Sequence, residues 1–263
     1  MQTDLQGKIA LVCAASKGLG RAAARSLAGE GCRVAVCARH ADELARVAAA
    51  IAAETGAEVL PVVADVTKRT DVARLVETAV RHFGGLDILV TNAGGPKSGV
   101  FDTLGEDDWR AAIDLTFLSV VLLCMEAVPH LRRRGGGRIV NITSVSVKQP
   151  IDGLMLSNAL RAAVVGFSKT LANELGRDGI LVNCVAPGYT RTDRVTEIAE
   201  ATAAREGIEA AEVEARLVRH VPLGRLGEPC ELGDLVTFLA SARGSYITGA
   251  TIPVDGGFVK GLL

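Results

Sequence analysis

The run Cys13-Ala14-Ala15-Ser16-Lys17-Gly18-Leu19-Gly20-Arg21 sets small residues and a lysine between a short apolar stretch and an Ala-rich helical pattern. A turn that leaves a strand and opens a helix brings backbone close to a pyrophosphate, and the helix N-terminus favours the anion. Gly-x-Gly by itself is a weak signal; its place between the first strand and the first helix gives it weight. The second apolar run ends in Cys37-Ala38-Arg39-His40, with no carboxylate at the turn. A carboxylate there would hold both adenosine ribose hydroxyls and repel a 2′-phosphate, whereas arginine welcomes that phosphate. Lys17 adds a second positive charge where the phosphate would lie. These residues favour NADP(H), with NAD(H) as the alternative; the competing reading of each cation is a solvated surface charge.

Such residues need a scaffold. Short β-branched runs at about 8–14, 33–38, 58–64, 87–92, 138–143 and 180–186 alternate with Ala/Leu-rich helical patterns, which is the rhythm of a parallel βαβ sheet. Runs such as Ile9-Ala10-Leu11-Val12 are apolar throughout, as a strand covered on both faces requires. A last strand is expected over 251–254, after a helix at about 231–240. No repeat or Pro/Ser-rich linker divides the 263 residues, so one domain over 1–263 is the economical expectation. Residues 193–222 break the regularity: they are charged, Ala- and Glu-rich and weakly periodic. They read either as a lid over a binding crevice or as an ordinary solvated helix.

Composition narrows the function classes. With 29 Lys+Arg against 30 Asp+Glu, the chain has no accumulated basic charge for a nucleic-acid backbone. Hydrophobic residues make up 49% and aromatics only 3%, so the core must be Ala, Val, Leu and Ile, and there are only two tyrosines. The six cysteines form no Cys-x-x-Cys and lie mostly in apolar runs, which predicts reduced, buried thiols without disulfides or a metal site, in the cytoplasm. The start lacks a secretory signal, and no apolar run approaches the roughly 20 residues that span a bilayer, so no membrane role is expected.

Taken in order, these motifs resemble the short-chain dehydrogenase/reductase family of the classical type, with a likeness to 3-oxoacyl-[acyl-carrier-protein] reductases, over essentially the whole chain. The family's Thr-Gly-x-x-x-Gly-x-Gly loop corresponds to Cys13 through Gly20, with Ala14 in the place of the first glycine. Thr91-Asn92-Ala93-Gly94 resembles its Asn-Asn-Ala-Gly, Asp65-Val66 its adenine-contacting pair, and Pro187-Gly188 with Thr190 and Thr192 its nicotinamide segment. The resemblance implies an α/β, Rossmann-type doubly wound sheet of about seven parallel strands flanked by helices. It also implies cofactor contacts from Ala14, Ser16, Lys17, Gly18, Leu19, Gly20, Arg39, Asp65, Val66, Asn92, Ala93, Gly94, Arg161, Pro187, Gly188, Thr190 and Thr192.

In the family, a strand serine and a Tyr-x-x-x-Lys on the next helix carry the chemistry. Gly137-Arg138-Ile139-Val140-Asn141-Ile142-Thr143-Ser144 places that serine at Ser144, and Val165 through Leu175 fixes the downstream register. Between these anchors the chain reads Ser157-Asn158-Ala159-Leu160-Arg161, so both catalytic types differ. No tyrosine occurs from 95 to 188 to rescue the motif by a shift. The family's asparagine after the tryptophan appears as Asp114, which is expected to pair with Arg161 and compensate its burial, in a structural or a catalytic role. Lys148 and Tyr189 are the remaining candidates for a titrating donor; the competing readings are a solvated lysine and an aromatic wall. Tyr246 is expected to be buried packing.

The leading expectation is an NADP(H)-dependent oxidoreductase that reduces a carbonyl of a small-molecule substrate by hydride transfer with an atypical active site. Two alternatives stay open: a non-redox dehydratase, isomerase or cyclase, and a cofactor-binding noncatalytic partner. By resemblance, the helices around 106–131 and 155–176 pair in a homo-oligomer, a dimer or a tetramer.

Overall fold

The computed structural model describes residues 3–262. Seven strands form one parallel sheet: β1 (Ile9–Val12), β2 (Arg33–Ala38), β3 (Val59–Val63), β4 (Ile88–Thr91), β5 (Gly137–Ile142), β6 (Ile180–Pro187) and β7 (Thr251–Val254). Their order is β3-β2-β1-β4-β5-β6-β7. The order reverses between β1 and β4, which opens a crevice at the carboxyl ends of the strands, where α/β sheets bind ligands. Each expected strand is present. The first was expected to reach residue 14 and stops at Val12, because Ala14 turns into the left-handed region at φ +49° and cannot continue a strand.

Helices cover both faces. On one side lie α1 (Gly18–Gly29), α2 (Ala41–Thr55) and the C-terminal α9 (Pro229–Ala240). Their apolar residues pack with Ala10, Val12, Val34, Val36, Val90 and Val140. On the other side lie α3 (Arg69–Phe83), α5 (Ser119–Arg133) and α6 (Met155–Leu175), packed with Ile9, Leu11, Ala35, Leu89, Ile139 and Val182. Alternate strand residues thus serve opposite cores, which is why the strands read as unbroken apolar runs. The remaining helices are α4 (Glu106–Ala112), α7 (Asp193–Glu206) and α8 (Ala210–Val218).

Three sequence expectations change. The helix Glu106–Arg133, made of α4, a π-helical turn at Ile113–Leu118 and α5, is long and apolar enough by length and composition to cross a membrane. In this fold it is the crossover from β4 to β5, with Leu123, Cys124, Ala127 and Leu131 buried against the sheet. Tyr246 is fully exposed rather than buried, because its turn directs the ring outward. All six cysteines are free, and five are buried as expected, but Cys230 is exposed at the start of α9.

A buried polar chain ties the sheet to the helix that carries the motif. Thr91 Oγ1 donates to Asn141 Oδ1 at 2.6 Å, Asn141 Nδ2 donates to Ser168 Oγ at 2.8 Å, and Ser168 Oγ donates to the Val164 carbonyl at 2.7 Å. These bonds join β4, β5 and α6 directly beneath the carboxyl ends of the strands. Asn141→Ala would leave the Thr91 hydroxyl buried without its acceptor and open a cavity beside it. We expect it to lower stability by about 2–4 kcal/mol in urea unfolding. A change below about 0.5 kcal/mol would show that the network does not hold these elements.

Candidate active site

The glycine-rich turn is built by strand ends. Cys13 N donates to the Val90 carbonyl at 3.0 Å and Ala15 N to the Cys37 carbonyl at 2.9 Å, which pins the turn between β4 and β2. A side chain at Gly20 would come within 2.3 Å of the Ala14 carbonyl oxygen, so only glycine lets α1 start this close to the strand. The N-terminus of α1 has neither a side-chain cap nor an acidic residue in its first turn. By contrast α2, α3 and α4 each carry carboxylates there. The first N–H groups of α1 are therefore presented to an anion from outside the chain.

Those residues border a cavity of about 630 Å³ at the carboxyl ends of the strands. One end is lined by Arg39, Asp65 and Val66, joined by His40 and Glu43. The middle is lined by Ala14, Ser16, Lys17, Gly18, Leu19, Asn92, Ala93 and Gly94. The far end is lined by Ser144, Ser157, Arg161, Pro187, Gly188, Thr190 and Thr192. Burial pushes the Asp65 carboxyl up, but the Thr67 amide and hydroxyl and the charges of Lys68 and Arg39 more than offset this and hold it below its ordinary value. Gly188 sits where a side chain would meet the Asp255 backbone at 2.8 Å, so a glycine is required there by chain packing whether or not a ligand is bound.

At the far end, α6 brings Ser157 and Arg161 onto one face, four residues apart. Arg161 Nε donates to Ser157 Oγ at 3.2 Å, and its Nη1 donates to the main-chain carbonyls of Ile142 at 3.2 Å and Thr143 at 2.9 Å. The guanidinium is thus fixed on the last turn of β5. Because the buried Ser157 oxygen accepts from Arg161, its one hydrogen remains to donate. Ser144 lies two residues past the end of β5, and its Oγ accepts from the Ser146 amide at 3.1 Å.

Four candidates do not line the cavity. Gly20 lies behind the turn it permits. Asp114 is exposed, and among the described residues no ion pair joins it to Arg161. The π-helical turn carries Leu115 to the cavity wall in its place. The expected charge pair is therefore replaced by carbonyl oxygens as the compensation for the part-buried guanidinium. Lys148 is exposed beyond the 3₁₀ turn Val145–Val147. Tyr189 is half-buried with its ring edge-on to Phe258, centroids 5.3 Å apart. Sequence reasoning missed Leu115, Ile142, Thr143 and Leu154, which also line the cavity. A carbonyl acceptor leaves no trace in a sequence, but Leu154, just before α6, stood in plain view as an apolar residue next to the motif.

Comparison with known proteins places this geometry. The family described as enoyl-(acyl carrier protein) reductase matches residues 13–259. The chain belongs to the short-chain dehydrogenase/reductase family. It is 37% identical to a 3-oxoacyl-[acyl-carrier-protein] reductase of Synechocystis, covering 98% of this chain and 99% of that protein. It is also 37% identical to dehydrogenase/reductase SDR family member 4 of Oryctolagus cuniculus, over 96% of this chain and 94% of the relative. The L-sorbose reductase of Gluconobacter frateurii, solved in complex with NADPH and L-sorbose, superimposes with a TM-score of 0.97 at 34% identity and covers 100% of both chains. An actinorhodin polyketide ketoreductase solved with NADPH gives a TM-score of 0.92 at 32% identity, over 97% of this chain and 98% of that one. These relatives of the short-chain dehydrogenase/reductase fold are reductases.

Burial, and then the negative charge of Asp152, raise the Tyr189 phenol above its ordinary value, so it stays protonated at neutral pH. In a Tyr246→Phe variant, Tyr189 is the one remaining phenol, and ultraviolet titration should place it above about 10. A midpoint below 9 would make Tyr189 an activated acid and contradict its position as a packing residue.

Proposed function

We propose that the chain binds NADP(H) and reduces a carbonyl compound, with a fixed positive charge in place of a titrating acid. The observation that carries this reading is Arg161 on the cavity wall, held by two carbonyls and Ser157 and sharing that wall with Ser144. Support for the cofactor comes from the uncapped α1 N-terminus, from Lys17 and Arg39 on the cavity wall, and from the NADPH held by the sorbose reductase and the polyketide ketoreductase. The residues present fit such a group: Ser16 through Leu19 would cradle the pyrophosphate, Lys17 and Arg39 the 2′-phosphate, Asp65 and Val66 the adenine, and Asn92 through Gly94 the central ribose region. Pro187, Gly188, Thr190 and Thr192 would hold the nicotinamide end, leaving NAD(H) the weaker fit for want of a carboxylate after β2. When bound, the nicotinamide supplies the hydride.

The chain's own residues do the rest. Ser144 and Ser157 orient the substrate carbonyl by donating hydrogen bonds to its oxygen. Arg161 places a permanent charge beside that oxygen as negative charge develops on it. A donor of this kind contributes roughly 10²–10³-fold in rate. A guanidinium does not give up its proton, and an aliphatic hydroxyl is a far weaker acid than a phenol, so the proton reaches the product from water relayed through Ser157. Absence of a tuned general acid removes about 10²–10⁴-fold. Turnover should accordingly be slow. The helices α7 and α8 follow β6, and Asp193 and Val195 line the cavity, so we read 193–222 as a substrate lid. The partly exposed Leu118, Met125 and Met155 on the 106–133 helix and α6 support a homo-oligomer through those faces. Buried free thiols fit a reducing cytoplasm.

A second reading rests on one observation: among the described residues no tyrosine lines the cavity, and Lys17 is its one lysine. The chain would then be a cofactor-binding partner, or run non-redox chemistry, in the same pocket. The test is NADPH titration followed by a panel of ketones and 3-oxoacyl thioesters. Binding should be at least tenfold tighter for NADPH than for NADH, with Arg39→Ala abolishing that preference. A Ser157→Tyr/Arg161→Lys double variant should raise ketone-dependent NADPH oxidation at least tenfold. Absence of NADPH binding would overturn the cofactor assignment, and binding with no oxidation by either protein would favour the second reading.

A further inference from the structure

At the amino-terminal ends of β1, β4 and β5, on the pole of the sheet opposite the dinucleotide cavity, lies a second cavity of about 300 Å³. Part of its wall is residues 134–138, the second half of the run Arg132-Arg133-Arg134-Gly135-Gly136-Gly137-Arg138 that closes α5 and enters β5. Each arginine of this run has a different fate. Arg132 pairs with Asp178 at 2.7 Å, and Arg133 donates to His130. Arg134 Nε donates to the buried Asp87 carboxylate at 3.0 Å, and that carboxylate also accepts the Ile9 amide at 2.9 Å. Arg138 is the exception. Its Nη1 reaches only the neighbouring Gly137 carbonyl at 3.0 Å, and its Nε is buried with no hydrogen-bond partner.

A buried guanidinium N–H without an acceptor is costly, and an anion on the accessible remainder of the Arg138 guanidinium would offset the charge that burial leaves unmatched. Burial alone pulls the Arg138 guanidinium below the ordinary arginine value, with no carboxylate acting to raise it. Lys8 borders the same space, and among the described ion pairs none contains Lys8 or Arg138. Two carboxylates also line the cavity. Asp87 is already matched by Arg134, and the exposed Asp4 is outnumbered by Lys8 and Arg138. The site therefore holds a surplus of positive charge, from Lys8 just before β1 and from Arg138 in β5, around one cavity.

We propose that this basal cavity is an anion site, separate from the dinucleotide cavity, that takes phosphate or a small phosphate ester on Arg138 and Lys8, beside the Arg134–Asp87 pair. Two cations arriving from separate segments suit a phosphate group, because each can meet a different oxygen of the tetrahedron. The Leu5, Ile88 and Ala240 side chains give the cavity an apolar floor that limits water competition for the anion. Binding there would staple β1 to the 134–138 turn. The inference does not rest on the cofactor reading, since none of these residues touches the carboxyl-end cavity.

Because phosphate can also meet the α1 N-terminus, the test needs a local readout. Amide hydrogen exchange would be followed on the full chain with inorganic phosphate, with glycerol 2-phosphate, and with chloride at equal ionic strength. Exchange over residues 134–138 should slow at least fivefold with phosphate over chloride, and the effect should disappear in Arg138→Met and in Lys8→Gln. Equal protection by both phosphates assigns the site to the free ion, and stronger protection by the ester assigns it to an ester. Protection confined to residues 14–20, or protection of 134–138 that survives both substitutions, would overturn the proposal. Lys8 is exposed, so its variant keeps the test valid if Arg138→Met does not fold.

Discussion

A guanidinium held by two main-chain carbonyls at the end of β5 is the constraint on which the proposed chemistry depends. Arg161 reaches Ile142 and Thr143 because α6 runs back across the sheet immediately after β5, and the Thr91–Asn141–Ser168 chain locks that helix to the strand. Donors held by such bonds are what electrostatic catalysis needs, since its gain comes from donors that do not reorganise during reaction.

A fixed charge and a titrating acid solve different parts of carbonyl reduction. Arg161 can steady a developing alkoxide at any pH at which the protein is folded, but it cannot protonate one. Ser157 links the two tasks, since it accepts from Arg161 and has one hydrogen left to give. On the proposed function this balance would give a competent but slow reductase, the charge recovering part of what a missing phenol forgoes. At the other end of the cavity, the uncapped α1 N-terminus and the cations Lys17 and Arg39 would supply binding energy remote from the reacting atoms, which orients rather than accelerates.

Much of this was legible in the sequence, and the exceptions have physical causes. Strands buried on both faces must be apolar throughout, so β1, β2, β4 and β6 announced themselves. Gly20 was legible because a helix beginning against a strand end tolerates no side chain there. Asp114 was misplaced because it lies in the π-helical turn Ile113–Leu118, whose wider register an ordinary helical spacing does not anticipate. The carbonyls that hold Arg161 belong to the main chain and carry no sequence signal. Tyr246 failed for a related reason, since a turn motif fixes backbone but not the direction of an outward ring. The Arg-Gly run at 132–138 is conspicuous as text, yet only the fold shows that three of its arginines have partners and Arg138 Nε has none.

The central claim is that a fixed positive charge, without a titrating acid, assists the reaction. The pH dependence of kcat/KM for NADPH-dependent ketone reduction tests it most directly. Fixed charge from Arg161 predicts a profile that varies less than about threefold between pH 7 and 9.5, because no group that assists the reaction titrates in that range. A tenfold fall with a midpoint inside that range, abolished by substituting Tyr189 or Lys148, would show that a titrating acid does the work and would contradict the account.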